Sequence, residues 1–534
     1  MKNNCRKLCL SVMLFLAMVP ALFAQVTTSG INGKITGNGE VLPGAAVVAI
    51  HVPSGTQYGT ITNSDGRFTI QGMRTGGPYT VEVSFIGYTK STLTDITLYL
   101  GESYTVNTDL KESTTEVGEV TVVGIKSSSY SQKSGGAVNI SRQTMESLPT
   151  ISRGLKDFTK LSPLANVSGN GTSFAGSNNR YNQFAIDGLV NNDVFGLSNS
   201  GTNGGQTGIE PISLDAIEEF QINIAPYDIR QSGFTGGGIN AVTKSGTNKF
   251  SGSAYYYGNN ESLVGKNEPV KHTKSDYPDY KDYLAGFTLG GPIVKNKLFF
   301  FVNGEISRSK TPLASIPGTS SSNITVDEIN RVLSVLNRIA PNYDPGDYET
   351  LNNETNSNKL LFKVNWNIND HHKLVLRHSY TYGENTSISR SANSLRFANN
   401  GIYFPSTTNS SGLELNSIFS NNSSNKLLIG YTTVRDNRDP LGSHFPTVLL
   451  NIGSGRSITI GSEYSSVANE LNQDIITVSD DYSIYRGKHT LTFGTHNEIY
   501  RFYNLFVQNI FGSYAYRSLA DFETVGTAGE VSPT

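Results

Sequence analysis

The sequence predicts a mainly β protein built in three parts: an N-terminal β-sandwich, a mixed α+β domain, and the first part, about nine strands, of a transmembrane antiparallel β-barrel. Three observations carry the prediction. Short β-rich runs separated by turn residues fill positions 26–113, as in a small sandwich. From Lys249 onward, apolar and polar residues alternate with period two in run after run. The links between those runs alternate between short and long, which sorts turns to one rim and loops to the other, as a membrane barrel requires.

Taken from the start, the chain opens with basic Lys2, Arg6 and Lys7, an apolar run from Leu8 to Val19, Pro20, and Ala24 before Gln25. This is the pattern of a secretory signal peptide, residues 1–24, too short for a spanning helix. Its removal takes the formal charge from -2 to -5, which argues against a nucleic-acid partner held by phosphate neutralisation. Cys5 and Cys9 both lie in this leader, so the mature chain is expected to lack disulfides, thiol nucleophiles and thiolate metal sites. No later stretch approaches the roughly 20 apolar residues of a membrane helix. With 27 Tyr and 25 Phe but one Trp, the composition suits either a secreted β protein or an outer-membrane barrel.

In residues 26–113 the runs "GINGKITG", "AAVVAIHV", "QYGTIT", "RFTIQG", "YTVEVSFIGY" and "DITLYL" read as strands. In "TNSDGRF", Asn63, Ser64, Asp65 and Gly66 supply the polar, positive-φ chemistry of a tight reversal. "LPGAAV" and "TNSDGRFTI" resemble the carboxypeptidase regulatory-like domain. Peptidase chemistry is not implied: the eight histidines form no H-E-x-x-H or H-x-x-E pair, and no G-x-S-x-G elbow occurs. No catalytic residue, metal site or cofactor is expected, and the chain is not expected to be an enzyme.

Residues 114–136 form a linker in which Val120–Gly124 is an isolated β-prone peptide among Ser, Gly and charged residues. Such a peptide can add to a partner's sheet edge, or it can be the last strand of the sandwich, and residue chemistry leaves both open. In 137–248, "SRGLKDFTKLSP" predicts a helix capped by Ser152, with Leu155 and Phe158 on one face and Pro163 beyond its end. "NQFAIDGLVNND", "IEEFQINIAPYD" and "GGGINAVTKSG" predict short strands, and the long Gly/Asn-rich loops of 169–208 point to function or to enclosure by other structure.

The wall begins after 248. In "KLLFKVNWNI", Leu360, Phe362, Val364, Trp366 and Ile368 oppose Lys363, Asn365 and Asn367; in "KLFFFVNGEIS", Leu298, Phe300, Val302 and Ile306 oppose Asn303, Glu305 and Ser307. Nine strands are expected at 249–258, 283–290, 297–307, 359–367, 373–383, 413–420, 426–437, 474–484 and 489–502. The short links are "GPIVKN", "INDHH", "NNSSN" and "YRG", and the long ones, 259–282, 308–358, 384–412 and 438–473, are polar. Phe299, Phe300 and Phe301 beside a turn, and Tyr380 and Tyr382 near a loop, are expected to form aromatic girdles.

The glycine-dense "GFTGGGINAVTKSGTNK" runs directly into "FSGSAYYYG". Gly236, Gly237, Gly238, Lys244 and Gly246 are therefore expected at the junction where an enclosed domain meets the wall. "DAIEEFQINIAPYDIRQSGFTGGGINAVTKSGTNKFSGS" resembles the end of the plug domain of TonB-dependent outer-membrane receptors, and "GGPIVKNKLFFF" their second barrel hairpin. With the regulatory-like domain in front, the chain resembles an Oar-like receptor of the Bacteroidetes type.

The resemblance implies a plug domain at 137–248 and a partial barrel at 249–534, in the outer membrane with the N-terminal domain in the periplasm as an extension outside the pore. It implies uptake of a bulky extracellular ligand (glycan, peptide or siderophore) by displacement of the plug. The partners implied are outer-membrane lipid and the inner-membrane TonB complex, which would pair with a TonB box at Glu119, Val120, Thr121, Val122 and Val123. About 22 strands are expected of plugged transporters, against nine here, and "GEVSPT" lacks a terminal aromatic residue; the expectation is an N-terminal portion of a longer receptor. The alternative class is a secreted or surface-attached adhesin of stacked β domains. Asp276, Asp279 and Asp282, and Asp436 and Asp439, are read as solvated acidic loops because their spacings match no calcium loop.

Overall fold

The computed structural model describes residues 26–113, 120–122, 136–150, 153–168, 171–226, 228, 230–231, 233–270, 273–313 and 315–533. The leader, Ser152, Glu119 and Val123 lie outside them.

The N-terminal body is a sandwich. In one sheet Ser29–Gly37 pairs with Glu40–Val41, Arg67–Met73 and Ser103–Leu110; the other runs Thr56–Ile61, Ala46–His51, Gly76–Ser84, Ser91–Leu98 and Val120–Val122. Period-two alternation puts Ile31, Ile35, Val47, Ala49, Val81 and Val83 into one core. The "TNSDGRF" reversal forms as its chemistry dictates: the Asn63 side-chain oxygen accepts from the backbone N–H of Asp65 and of Arg67, each at 2.9 Å, and Gly66 takes φ 69°. Ser103–Leu110, absent from the sequence expectation, runs parallel to Ser29–Gly37. Its alternation is mostly polar: Val106 and Leu110 are buried in the core, and Tyr104 packs against it. Val120–Val122 adds in parallel to Ser91–Leu93, so in this structure the peptide occupies the sandwich edge.

The second body, expected from the sequence to be a plug and called the plug below, carries a five-stranded sheet in the order Gly136–Ser141, Ile217–Ile224, Gly237–Thr243, Gln183–Ile186 and Leu189–Val190. The expected helix is shorter than "SRGLKDFTKLSP" implied: it spans Leu155–Thr159, with Gly154 as a cap lacking a side-chain bond. Phe158 nevertheless anchors it, edge-on to Phe220 at 5.7 Å. A second helix, Arg142–Ser147, is capped by Ser141. The plug core also takes in Phe301 and Leu361 from the wall.

The wall is one antiparallel sheet of nine strands in chain order: Ser251–Asn260, Lys281–Val294, Leu298–Pro312, Asn352–Asn367, His372–Ser387, Ile402–Ser420, Ser423–Pro440, Asn469–Arg486 and His489–Phe506. The number agrees with the alternation, but the strands reach 19 residues. Pairing continues through stretches such as Asn352–Asn358, where an all-polar composition hides the period. The links 295–297, 368–371, 421–422 and 487–488 are short; 261–280, 313–351, 388–401 and 441–468 are long. The first and ninth strands each pair on one side.

What separates this sheet from a water-soluble sandwich is which face is covered. Leu360, Phe362 and Trp366 are 41–46% exposed, whereas Lys363 and Asn365 between them are buried. The apolar face points outward, as lipid requires. Phe299 and Phe301 correct the girdle expectation: both are buried on the inner face, because a run of three aromatics must alternate. Phe300 alone faces out, 6.2 Å from exposed Phe250. Tyr380 and Tyr382, half-buried, share the parity of exposed Leu376.

The long connections also correct an expectation, since they are not merely polar loops. Val326–Ile339, Ser394–Arg396, Thr447–Gly453 and Arg456–Ile460, joined by Ser513–Tyr516 and Leu519–Glu523 from beyond the ninth strand, assemble a cap on the long-connection rim. Its core includes Ile329, Val332, Leu336, Phe397, Leu450 and Phe522. The helix Val326–Ile339 starts in a capping box between Thr325 and Glu328. Asp436 and Asp439 correct the expectation of solvated loops: both lie in the strand Ser423–Pro440, where Asp436 is buried and accepts from Ser406 at 2.6 Å and Asp439 accepts from Asn437 at 2.8 Å, while Asp279 accepts from Lys310 at 2.6 Å.

Candidate functional site

The wall's inner face and the plug meet through buried charges as well as through the apolar contacts of Phe301 and Leu361. "IDG" makes a tight turn between Gln183–Ile186 and Leu189–Val190, with Asp187 at φ 47° and Gly188 at φ 79°. The turn projects the Asp187 carboxylate toward the wall. It accepts from the backbone N–H of Thr243 at 2.9 Å and its hydroxyl at 2.7 Å, and it meets Lys363 Nζ at 3.4 Å and Arg377 Nε at 3.6 Å. Lys363 also donates to the Thr243 carbonyl at 3.0 Å. Burial raises the Asp187 carboxyl, but the two cations and the Thr243 bonds outweigh it and hold the group below its ordinary value.

A second charge group lies beside the tyrosine strand. Glu305 accepts from Ser213 of the plug at 2.7 Å, Lys359 at 3.0 Å and Tyr255 at 3.1 Å. Arg153 pairs with Asp215 at 2.5 Å and lies 4.1 Å from the Tyr257 ring centre. Of the three tyrosines in "FSGSAYYYG", Tyr255 and Tyr257 thus hold the plug, while Tyr256 stacks with Tyr283 and is exposed. Toward the long-connection rim, Arg438 donates to Gln206 at 2.6 Å and Phe195 meets Phe502 at 5.0 Å. The long loops of 171–208 are therefore packed against the wall.

The glycines of the expected junction divide. A Cβ on Gly236 would meet the Asn182 side chain, on Gly237 the Phe174 ring and on Gly238 the Phe234 ring, so these three serve close packing inside the plug, a correction to their expected contact with the wall. Gly246 does meet the wall: a Cβ there would overlap the carbonyl oxygens of Phe300 and Gly291. Its own carbonyl accepts from Arg74 of the sandwich at 3.2 Å. Gly246→Val is expected to push the plug's exit segment off the rim at a cost of roughly 1–3 kcal/mol. The check is thermal unfolding of the variant in detergent; an unchanged midpoint rejects the tight-contact role. Lys244 is half-buried; burial and nearby Arg142 lower its pKa.

The sandwich is joined to both other bodies, which sequence reasoning missed. The backbone N–H of Leu100 donates to Glu219 at 3.1 Å, and its carbonyl accepts from Gln221 at 2.6 Å. Thr27 donates to Glu414 of the wall at 2.6 Å and accepts from Lys426 at 2.7 Å, while Asn240 of the plug donates to the Val26 carbonyl. Asn367, beside a short turn, donates to Thr56 at 3.0 Å. The sandwich docks on the short-turn rim, and its first residues enter between plug and wall. No pattern of period two encodes such contacts, because they join polar side chains far apart in the chain.

Comparison with known proteins matches residues 30–111 to the carboxypeptidase regulatory-like domain and residues 242–326 and 314–529 to the outer membrane beta barrel domain. The TonB-dependent transporter Oar of Myxococcus xanthus is 27% identical over 299 residues, 53% of this chain and 27% of that protein. The TonB-dependent receptor P26 of Formosa agariphila is 26% identical over 240 residues, 42% of this chain and 21% of that one. Among solved structures, the outer membrane transporter YddB of Escherichia coli aligns with a TM-score of 0.49 at 12% identity, covering 68% of this chain and 48% of its own. The chain spans about a quarter of the length of the curated relatives it matches.

Proposed function

We propose that this chain, which belongs to the outer membrane beta barrel domain family and carries a carboxypeptidase regulatory-like domain, is an Oar-like TonB-dependent receptor that takes up a bulky extracellular ligand by TonB-driven displacement of the plug. The observation that carries this reading is the character of the plug–wall interface. Lys363, Arg377 and Glu305 are buried there, paired with the nearly buried Asp187 and Lys359 in charge groups. Such an interface is specific in position, and water can hydrate it when it parts, which an apolar core does not permit. An adhesin of stacked soluble domains has no use for the exposed outer row of Leu360, Phe362, Trp366 and Leu376.

In this reading the ligand arrives at the capped rim. A 320 Å³ polar cavity there is lined by Lys156, Gln206, Glu210 and Arg438. Burial raises the Glu210 carboxyl against the opposing pull of Lys359 and Lys156, so the cavity offers both donors and an acceptor to a glycan, peptide or siderophore. On the other side, Glu119–Val123 serves as the TonB box, pairing by main-chain hydrogen bonds with the inner-membrane partner. The sandwich edge at Ser91–Leu93 would hold Val120–Val122 until TonB takes it. No enzymatic step is part of the proposal.

Thr121→Pro removes a backbone donor from the middle of the box. Uptake by cells carrying the full-length receptor is expected to fall to background while ligand binding at the surface is kept. Uptake at the parental rate would reject the box assignment, and loss of outer-membrane fractionation by the parent would reject the receptor reading itself.

A further inference from the structure

A cavity of 380 Å³ lies where the three bodies meet, within the roughly 300–1,000 Å³ range of small-molecule sites. Sandwich, plug and wall each supply part of its lining, so it exists only when all three are docked. Six lining side chains are cationic and three are carboxylates.

The carboxylates do not use up the cations. Asp187 is engaged by Thr243 and Lys363, and Glu414 by Thr27 and Asn416. Among the described residues, no carboxylate lies within ion-pair distance of Arg74, Lys244 or Lys373. Arg74 donates to the Gly246 carbonyl at 3.2 Å; Lys373 donates to the Asp370 carbonyl at 3.1 Å and sits 4.4 Å from the Tyr58 ring centre. Arg377 is the sharpest case. Its side chain is 3% exposed, it reaches Asp187 only at 3.6 Å, and its Nε and Nη1 make no hydrogen bond. A buried guanidinium with two orphaned donors beside a polar cavity needs an acceptor. The sandwich side of the cavity feels the same positive field: His51, a lining residue, is held neutral by burial and then by Arg74.

We propose that this junction cavity binds a small tetrahedral oxyanion of the phosphate class, held by Arg74 of the sandwich, Lys244 of the plug, and Lys373 and Arg377 of the wall. Guanidinium and ammonium donors lining one cavity from separate elements suit the charge and several acceptor oxygens of such an anion. Because its ligands come from all three bodies, the anion favours their docked arrangement, and by linkage their separation weakens its binding. The proposal does not rest on the transport reading, since binding is measured without TonB or an external ligand.

The test is calorimetric titration of the purified full-length receptor in detergent with inorganic phosphate, and separately with methyl phosphate. Saturable binding of inorganic phosphate at millimolar concentration or below is expected, weakened roughly tenfold by Arg74→Gln and by Lys244→Gln, the equivalent of one lost charge-assisted bond each. Glu218→Gln, which removes a lining carboxylate, is expected to tighten it. Methyl phosphate binding as well as phosphate identifies a phosphoryl group carried on a larger molecule as an acceptable occupant; binding of phosphate alone identifies the free ion. Lys244→Gln changes a half-buried side chain, and an unaltered melting curve without anion confirms that it folds. No binding of either anion, or equal binding by the parent and the Arg74→Gln/Lys244→Gln double variant, overturns the proposal.

Discussion

Asp187→Ala is expected to lower the opening free energy of the plug by about 3–5 kcal/mol, because it leaves Lys363 and Arg377 as buried, uncompensated cations. Both side chains are at most 5% exposed, and the carboxylate that serves them also fixes the Thr243 backbone. The measurement is native-state hydrogen exchange over Gln183–Ile186 and Gly237–Thr243, the strands the Asp187 turn joins to the wall. Replacing Asp187, Lys363 and Arg377 together with apolar residues of similar size is expected to restore much of the protection, since no charge is then stranded. Unchanged exchange in Asp187→Ala would show that the turn does not hold the plug. In cells, the single variant is expected to admit large solutes that the parent excludes.

Acid is expected to weaken the sandwich through His51, with an effect of similar size. Burial, and then the Arg74 charge, lower its pKa from 6.5 to about 3. The ring packs 4.9 Å from Tyr79, and its Nδ1 shares a 2.7 Å hydrogen bond with Ser54. The unfolded chain takes up a proton below pH 6.5 that the folded chain refuses until about pH 3. Stability is therefore undiminished by this group above pH 6.5, falls as pH drops through the window, and levels off below it. The whole loss is roughly 5 kcal/mol at about 1.4 kcal/mol per pH unit. Asp187 and Asp228, both held below their ordinary values, also lose stability in acid. The relevant measurement is therefore the difference between parent and His51→Gln in denaturant midpoints from pH 7 to 4. Parallel pH profiles would refute the assignment to His51.

How much of this was legible depended on whether a residue's partner could be read from its neighbours in the chain. Alternation in "KLLFKVNWNI" gave the two faces of a strand, and link lengths told which rim was which. The Asp-Gly pair within "NQFAIDGLVNND" announced a turn, yet nothing local said that its carboxylate would meet Lys363 and Arg377. The capping box at Thr325 and the 3.6-period of "VDEINRVLSVLNRI" lie within the polar stretch 308–358, whose overall composition masks a helix of local period. Gly236–Gly238 serve close packing, as a glycine run implies, but against Asn182, Phe174 and Phe234 of the plug, whereas Gly246 approaches the wall.

The sequence by itself determined the local geometry: short strands with Asn-Ser-Asp-Gly reversals, then long alternating strands whose polar and apolar sides were fixed before folding. Backbone torsions and the period of two act between adjacent residues, so they are written in order along the chain. Tertiary structure decided which way the wall faces, where the sandwich docks, and which charges share a site. Those outcomes depend on burial and electrostatics between residues such as Thr27 and Glu414, 387 positions apart, whose proximity is a property of the folded molecule alone.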